Sequence, residues 1–256
     1  MQVTASIVFR VFLSAVIIAS LVDMYTVQLL KDFGGLSRKL AARNLRRAYG
    51  SRIFRFLIGD TTLSYMKSRT LLFPMLELLF VMLVLTSLYT HGFSFVFMRT
   101  VLFLIIALPL AVVDWLTLIS PNLINYPGAV IGILTAVYLG PKELASCLLG
   151  GIIFAGTLWF MGWAWERARG VEAMGRGTIK TAFMIGTFGG WKLAILTLFL
   201  GVLTGSVYGI ILVVRRGRQD FNVHIPFDSF LLACGFVSML WGNPLVSWYL
   251  GQLAAN

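Results

Sequence analysis

Charge is scarce in this sequence, and acidic charge scarcest: 256 residues contain ten Asp and Glu, two His and 21 Lys and Arg. Only 12% of the residues are charged while 59% are hydrophobic, and the mean hydropathy is +0.88. A soluble domain averages about 25% charged residues, so this composition excludes one and indicates a membrane protein. Cysteine is nearly missing. Cys147 and Cys234 both stand in apolar runs, which leaves neither a disulfide framework nor a four-cysteine zinc site. His91 and His224 have no second histidine at ligand spacing, so no metal or other cofactor is expected. No Gly-x-Ser-x-Gly elbow and no Gly-x-x-x-x-Gly-Lys loop occurs, which removes the serine hydrolase and nucleotidase readings. The apolar stretch from Ile7 to Val22 lacks a basic leading region and is expected to be an uncleaved first span.

What the sequence does contain is a series of long apolar runs. Judged against the ~20 residues a bilayer requires, they fall at 5–29, 71–90, 97–118, 123–140, 144–164, 181–191, 194–214 and 227–250. Pro121 and Pro127, Gly140-Pro141, and Pro226 mark breaks between them. The expected fold is an all-α polytopic bundle of about eight transmembrane helices, a single unit over 1–256 in the bacterial inner membrane.

The net charge of +11 could suggest a nucleic-acid partner, but that needs a basic face on a soluble domain, and none is present. The basic residues instead follow topology. With the N-terminus outside, the inner loops 31–69, 120–127, 165–180 and 215–225 hold 17 of the 21 Lys and Arg, leaving Arg10, Arg99, Lys142 and Lys192. This is the asymmetry expected of cytoplasmic loops. An even number of spans must then separate the last two basic loops, so the chain should turn back near Gly189-Gly190-Trp191-Lys192. Loop 31–69 combines seven arginines and lysines from Arg38 to Arg55 with Leu36, Leu40, Leu45 and Phe54. That pattern predicts an amphipathic surface helix against anionic membrane lipids. Gly201, Gly205 and Gly209 recur every fourth residue and should let helix backbones approach closely.

Ionisable groups inside hydrocarbon are costly and therefore mark candidate sites. Four acidic residues qualify: Asp23, Glu77, Asp114 and Asp228. Asp23 can snorkel at the end of the first span, and Asp228 can cap the helix that follows Pro226. Glu77 suits a buried polar cluster as well as it suits chemistry. Asp114, in Leu-Ala-Val-Val-Asp-Trp-Leu with no basic residue nearby, is the leading catalytic candidate.

Several segments, in order along most of the chain, resemble the type IV prepilin leader peptidase family, aspartic peptidases that work at the cytoplasmic membrane face. Arg69 to Leu79, with Glu77, resembles the family's Arg-Tyr-Pro-Leu-Val-Glu-Leu segment, and Asp114 with Ile119-Ser120-Pro121-Asn122 resembles its first catalytic aspartate and the Ile-Pro-Asn that follows. Gly170 to Gly177, containing Glu172, Gly175 and Gly177 and followed by Lys180, resembles its second motif. Ile225-Pro226-Phe227-Asp228 resembles its Ile-Pro-Phe-Gly. The resemblance implies a cleft open to the cytoplasm, with Asp114 and Thr178 facing across it. It also implies prepilin or pseudopilin leader peptides as partners, and pilus or secretion assembly proteins beyond them.

Two departures stand out. The family's second motif reads Gly-x-Gly-Asp-x-Lys, and position 178 here is threonine; the family's paired cysteines are also missing. Two carboxylates sharing a proton let one activate water while the other protonates the scissile carbonyl, and a threonine hydroxyl cannot serve as that base. The expectation is therefore leader-peptide handling with weak or lost cleavage. The alternatives are a peptidase using another carboxylate, Asp228 or Asp23, or an engineered loss at Thr178. A small transporter coupled through Asp114 is a further reading, but it calls for repeat symmetry or a charged relay, and the sequence shows neither.

Overall fold

The computed structural model describes residues 5–33, 72–170, 174–216 and 225–254, and every regular element among them is helical. In chain order they are α1 (Ala5–Phe33), α2 (Leu72–His91), α3 (Phe95–Thr117), α4 (Asn122–Leu139), α5 (Pro141–Arg169), α6 (Arg176–Arg216) and α7 (Phe227–Ala254). A chain in lipid must satisfy its backbone polar groups internally, which helices do. Six of these helices are long and apolar enough to cross a membrane, and Met75–His91 is a shorter apolar helix. Large apolar side chains such as Phe9, Leu21, Trp159, Phe160 and Ile210 stand on the outside, as a lipid-facing surface requires. The chain is thus a multi-pass helical membrane protein. The predicted surface helix of loop 31–69 lies almost wholly outside the described residues, as do Glu172 and His224.

The chain forms two compact units, Met1–Val113 and Asp114–Asn256. In the first, α1 packs on α2. Its core is built from Ala15, Ala19 and Leu29 of α1 and Phe80, Val84 and Leu88 of α2.

In the second unit α6 is the organising element, packing against α4, α5 and α7. It is not one straight rod. Gly190 takes φ 74° and ψ 175° and breaks the helix, and the contacts on either side show that the chain doubles back there. Thr181, before the break, hydrogen-bonds Asp228 at the start of α7. Gly205, after it, lies against Phe227 at that same start. The turn expected near Gly189-Gly190 is therefore present, in a left-handed conformation that glycine adopts without a Cβ penalty.

Small residues set the spacing of the arms. A Cβ on Gly150 of α5 would lie 2.5 Å from the Gly190 backbone, and one on Gly186 would lie 2.5 Å from the Gly150 backbone. Two helices touch there main chain to main chain. Gly201, Gly205 and Gly209 receive Leu231, Phe227 and Ile225 respectively, so this four-residue repeat packs α6 on α7 within one chain.

Two breaks differ from the sequence reading. The segment 120–127, expected as a loop, is helical from Asn122, with Pro121 at the N-cap. Pro127 lies inside α4, where the loss of one backbone donor is tolerated in packed membrane helices.

Candidate functional site

Three helices begin at one end of the second unit, and the last turn of α3 ends beside them. Asp114 is in that last turn. Leu118 then takes φ 57°, an uncommon left-handed conformation for a non-glycine residue, and its N–H donates to the Asp114 carbonyl at 2.8 Å. This sharp exit carries Ser120 toward the starts of α6 and α7. Gly177 makes room for it, since a Cβ there would lie 2.7 Å from the Ser120 Cβ. The motif glycine at 177 is thus required by packing, whereas Gly175 has open space around it.

The Asp114 carboxylate is buried, at 5% exposure, and it caps α7 from outside that helix. Its Oδ2 accepts the Ser229 N–H at 2.8 Å and the Ser229 hydroxyl at 2.8 Å. Free N–H groups at a helix start favour an anion, and the helix dipole adds to the effect.

Asp228, at 1% exposure, turns its carboxylate elsewhere. Its Oδ2 accepts the hydroxyl of Thr181 at 2.8 Å and that of Ser120, and Thr178 lies close enough to act on the same carboxylate. Oδ1 is buried and has no hydrogen-bond partner among the described residues. The expectation that Asp228 merely caps its own helix is corrected here: Asp114 accepts the Ser229 N–H of α7, and Asp228 reaches across to α6 and to the segment before α4. Thr178 lies within reach of the Asp228 carboxylate.

The remaining candidates take distinct places. Lys180 donates to Asn122 Oδ1 at 2.8 Å and sits over the Tyr126 ring at 5.2 Å, so it ties the start of α6 to α4. Asn125, which the sequence reading did not single out, accepts from Thr181 at 3.2 Å. Trp115, Tyr208 and Phe230 form an aromatic cluster with ring centroids 5.1–6.0 Å apart; two of its members directly follow Asp114 and Ser229. Glu77 belongs to the first unit, where it is buried on α2 and interacts electrostatically with Asp23 of α1.

Sequence comparison places this arrangement among known proteins. Residues 100–210 match the type IV leader peptidase family. The chain is similar to the prepilin leader peptidase/N-methyltransferase of Aeromonas salmonicida, 28% identical over 183 residues that make up 71% of this chain and 62% of that protein. It is similar to the protein of that name from Xanthomonas campestris, 28% identical over 181 residues, covering 70% and 62%. With that from Pseudomonas aeruginosa it is 32% identical over 108 residues, covering 42% and 37%. In each case the match spans less than two thirds of the relative's own length. No solved structure matches the chain. Asp114, Gly177, Thr178 and Thr181 all fall inside the stretch that matches the type IV leader peptidase family, and Asp228 lies beyond it.

Proposed function

We propose that this protein acts on prepilin-like leader peptides in the bacterial inner membrane, through a site built around Asp114. The observation that carries this reading is the buried Asp114 carboxylate, held by the first turn of α7 within the stretch that matches the leader peptidase family. A carboxylate kept in an apolar bundle, with no cationic partner among the described residues, is costly to bury. Its retention is understandable if it carries a proton in a reaction. The N-terminus is outside and the site faces the cytoplasm, an orientation supported by the 17 of 21 Lys and Arg that fall in the four inner loops. A basic leader followed by an apolar helix would enter the bundle from the membrane, its apolar part meeting Trp115, Tyr208 and Phe230.

The chemistry is hydrolysis of one peptide bond. An ionised carboxylate takes a proton from water as the water oxygen bonds to the scissile carbonyl carbon, and a protonated carboxyl gives its proton to the carbonyl oxygen. On collapse of the gem-diol the C–N bond breaks and the nitrogen leaves as an amine, having received a proton. One water is consumed, and both carboxyl groups return to their starting state.

A second reading, leader binding without cleavage, draws on Thr178, which cannot be the second carboxylate. Both readings are tested by co-expressing a prepilin-type substrate with the protein and with Asp114→Asn. Cleavage that depends on Asp114 supports the peptidase reading. Substrate that co-purifies uncleaved with both forms supports binding alone, and neither cleavage nor association removes both.

A further inference from the structure

Hydrolysis by an aspartic site needs two carboxylates at one place, and the family motif provides none at position 178. We propose that Asp228, from the start of α7, is the second catalytic carboxylate of this protein and partners Asp114, so that the acid missing from α6 is supplied by α7. The proposal rests on the peptidase reading given above.

Three observations carry it. The first is placement: Thr178 lies close enough to Asp228 to act on its carboxylate, so the group that replaces the motif aspartate and the carboxylate offered in its stead share one pocket. The second is proximity to Asp114. The two carboxylates converge on a single helical turn, since Asp114 accepts the N–H of Ser229, the residue next to Asp228. The third is the way Asp228 is held. It is almost fully buried, receives the hydroxyls of Ser120 and Thr181 on Oδ2, and keeps a buried Oδ1 that has no hydrogen-bond partner among the described residues.

A purely structural role does not account for this arrangement. The helix start is already capped by Asp114, and the hydroxyls around Asp228 could satisfy one another or nearby carbonyls, as Thr181 does at 3.3 Å from the Gly177 carbonyl. A buried carboxylate among hydroxyl donors, with one free acceptor beside a second carboxylate, is what the two-acid mechanism uses: one group removes a proton from water and the other delivers one to the carbonyl oxygen. The starts of α4, α6 and α7 all lie against this pair, and their N–H ends offset part of the cost of placing two acids together.

The test relocates the acid. A co-expressed prepilin-type substrate is presented to the protein as it stands, to Asp114→Asn, to Asp228→Asn, to Thr178→Asp, and to the double variant Asp228→Asn with Thr178→Asp, with membrane protein levels measured in each case. Asparagine keeps an acceptor for Ser120 and Thr181, so the pocket should survive. The expected result is cleavage by the protein as it stands and a loss of about 100-fold or more in each asparagine variant, the size of a general acid–base contribution. Adding Thr178→Asp to Asp228→Asn should restore cleavage, because it returns a carboxylate to the same pocket from the other helix. Undiminished cleavage by Asp228→Asn while Asp114→Asn is inactive overturns the proposal and leaves the peptidase reading intact. So does loss in Asp228→Asn that Thr178→Asp fails to rescue. If the protein as it stands does not cleave, both the proposal and the peptidase reading fail, and cleavage by Thr178→Asp alone then shows that the scaffold lost its chemistry at that position.

Discussion

Asp114 caps the helix that Phe227 begins: one carboxylate oxygen, Oδ2, receives both the N–H and the hydroxyl of Ser229 at 2.8 Å each. Asp114 therefore fastens the last turn of α3 to α7, and this structural role separates under mutation from the catalytic one proposed for it.

Asp114→Asn preserves an acceptor oxygen and should leave thermal unfolding in detergent nearly unchanged while removing activity. Asp114→Ala strands two buried donors and should lower stability by about 1–3 kcal/mol. Equal unfolding temperatures for the two variants would show that the cap carries no stability.

Ser229→Ala removes the hydroxyl but leaves the backbone N–H bond to Asp114 in place. Stability should fall by about 1 kcal/mol, measured by denaturation in detergent, and substrate cleavage should be reduced but not abolished. A loss as large as that of Asp114→Asn would mean that the serine does more than orient the carboxylate.

The contact of Gly150 with Gly186 and Gly190 is between backbones, which cannot yield as a side chain can. Gly150→Ala or Gly186→Ala should destabilise the protein by about 1–3 kcal/mol through overpacking. Gly156 of the same α5 helix has open space around it, and Gly156→Ala should be close to neutral in the same unfolding assay.

Gly190→Ala meets two obstacles: a φ of 74° and the Ser146 hydroxyl 2.7 Å from the new Cβ. The backbone alone should cost roughly 1–2 kcal/mol. Combining it with Ser146→Ala should recover part of the loss but not all of it, because only the steric part is relieved.

Orientation can be read by labelling. Lys142 and Arg176, just inside the starts of α5 and α6, are both exposed. In a background with the buried Cys147 and Cys234 replaced by serine, cysteine at 142 should react with an impermeant thiol reagent from outside intact cells. Cysteine at 176 should react only once the membrane is opened, and the reverse pattern would invert the topology.

The sequence by itself determined the kind of molecule and most of its elements. Long apolar runs can only be helices in lipid, Gly140-Pro141 ends one helix and starts the next, and the fold-back at Gly190 followed from counting basic loops. Asp114 was legible for the same reason, since a lone carboxylate in an apolar run is costly enough to be noticed. Asp228 was not legible in the same way, because an acid in the first turn of a helix has an ordinary explanation as a cap. Only the tertiary structure decided otherwise. The cap is supplied by a residue 115 positions earlier in the chain, and the hydroxyls that reach Asp228 come from Ser120 and Thr181 on two other segments. Sequence patterns report the cost of placing a charge in the membrane, whereas its partners are set by which helix starts are brought together, and that depends on glycine contacts and on the left-handed turn at Leu118.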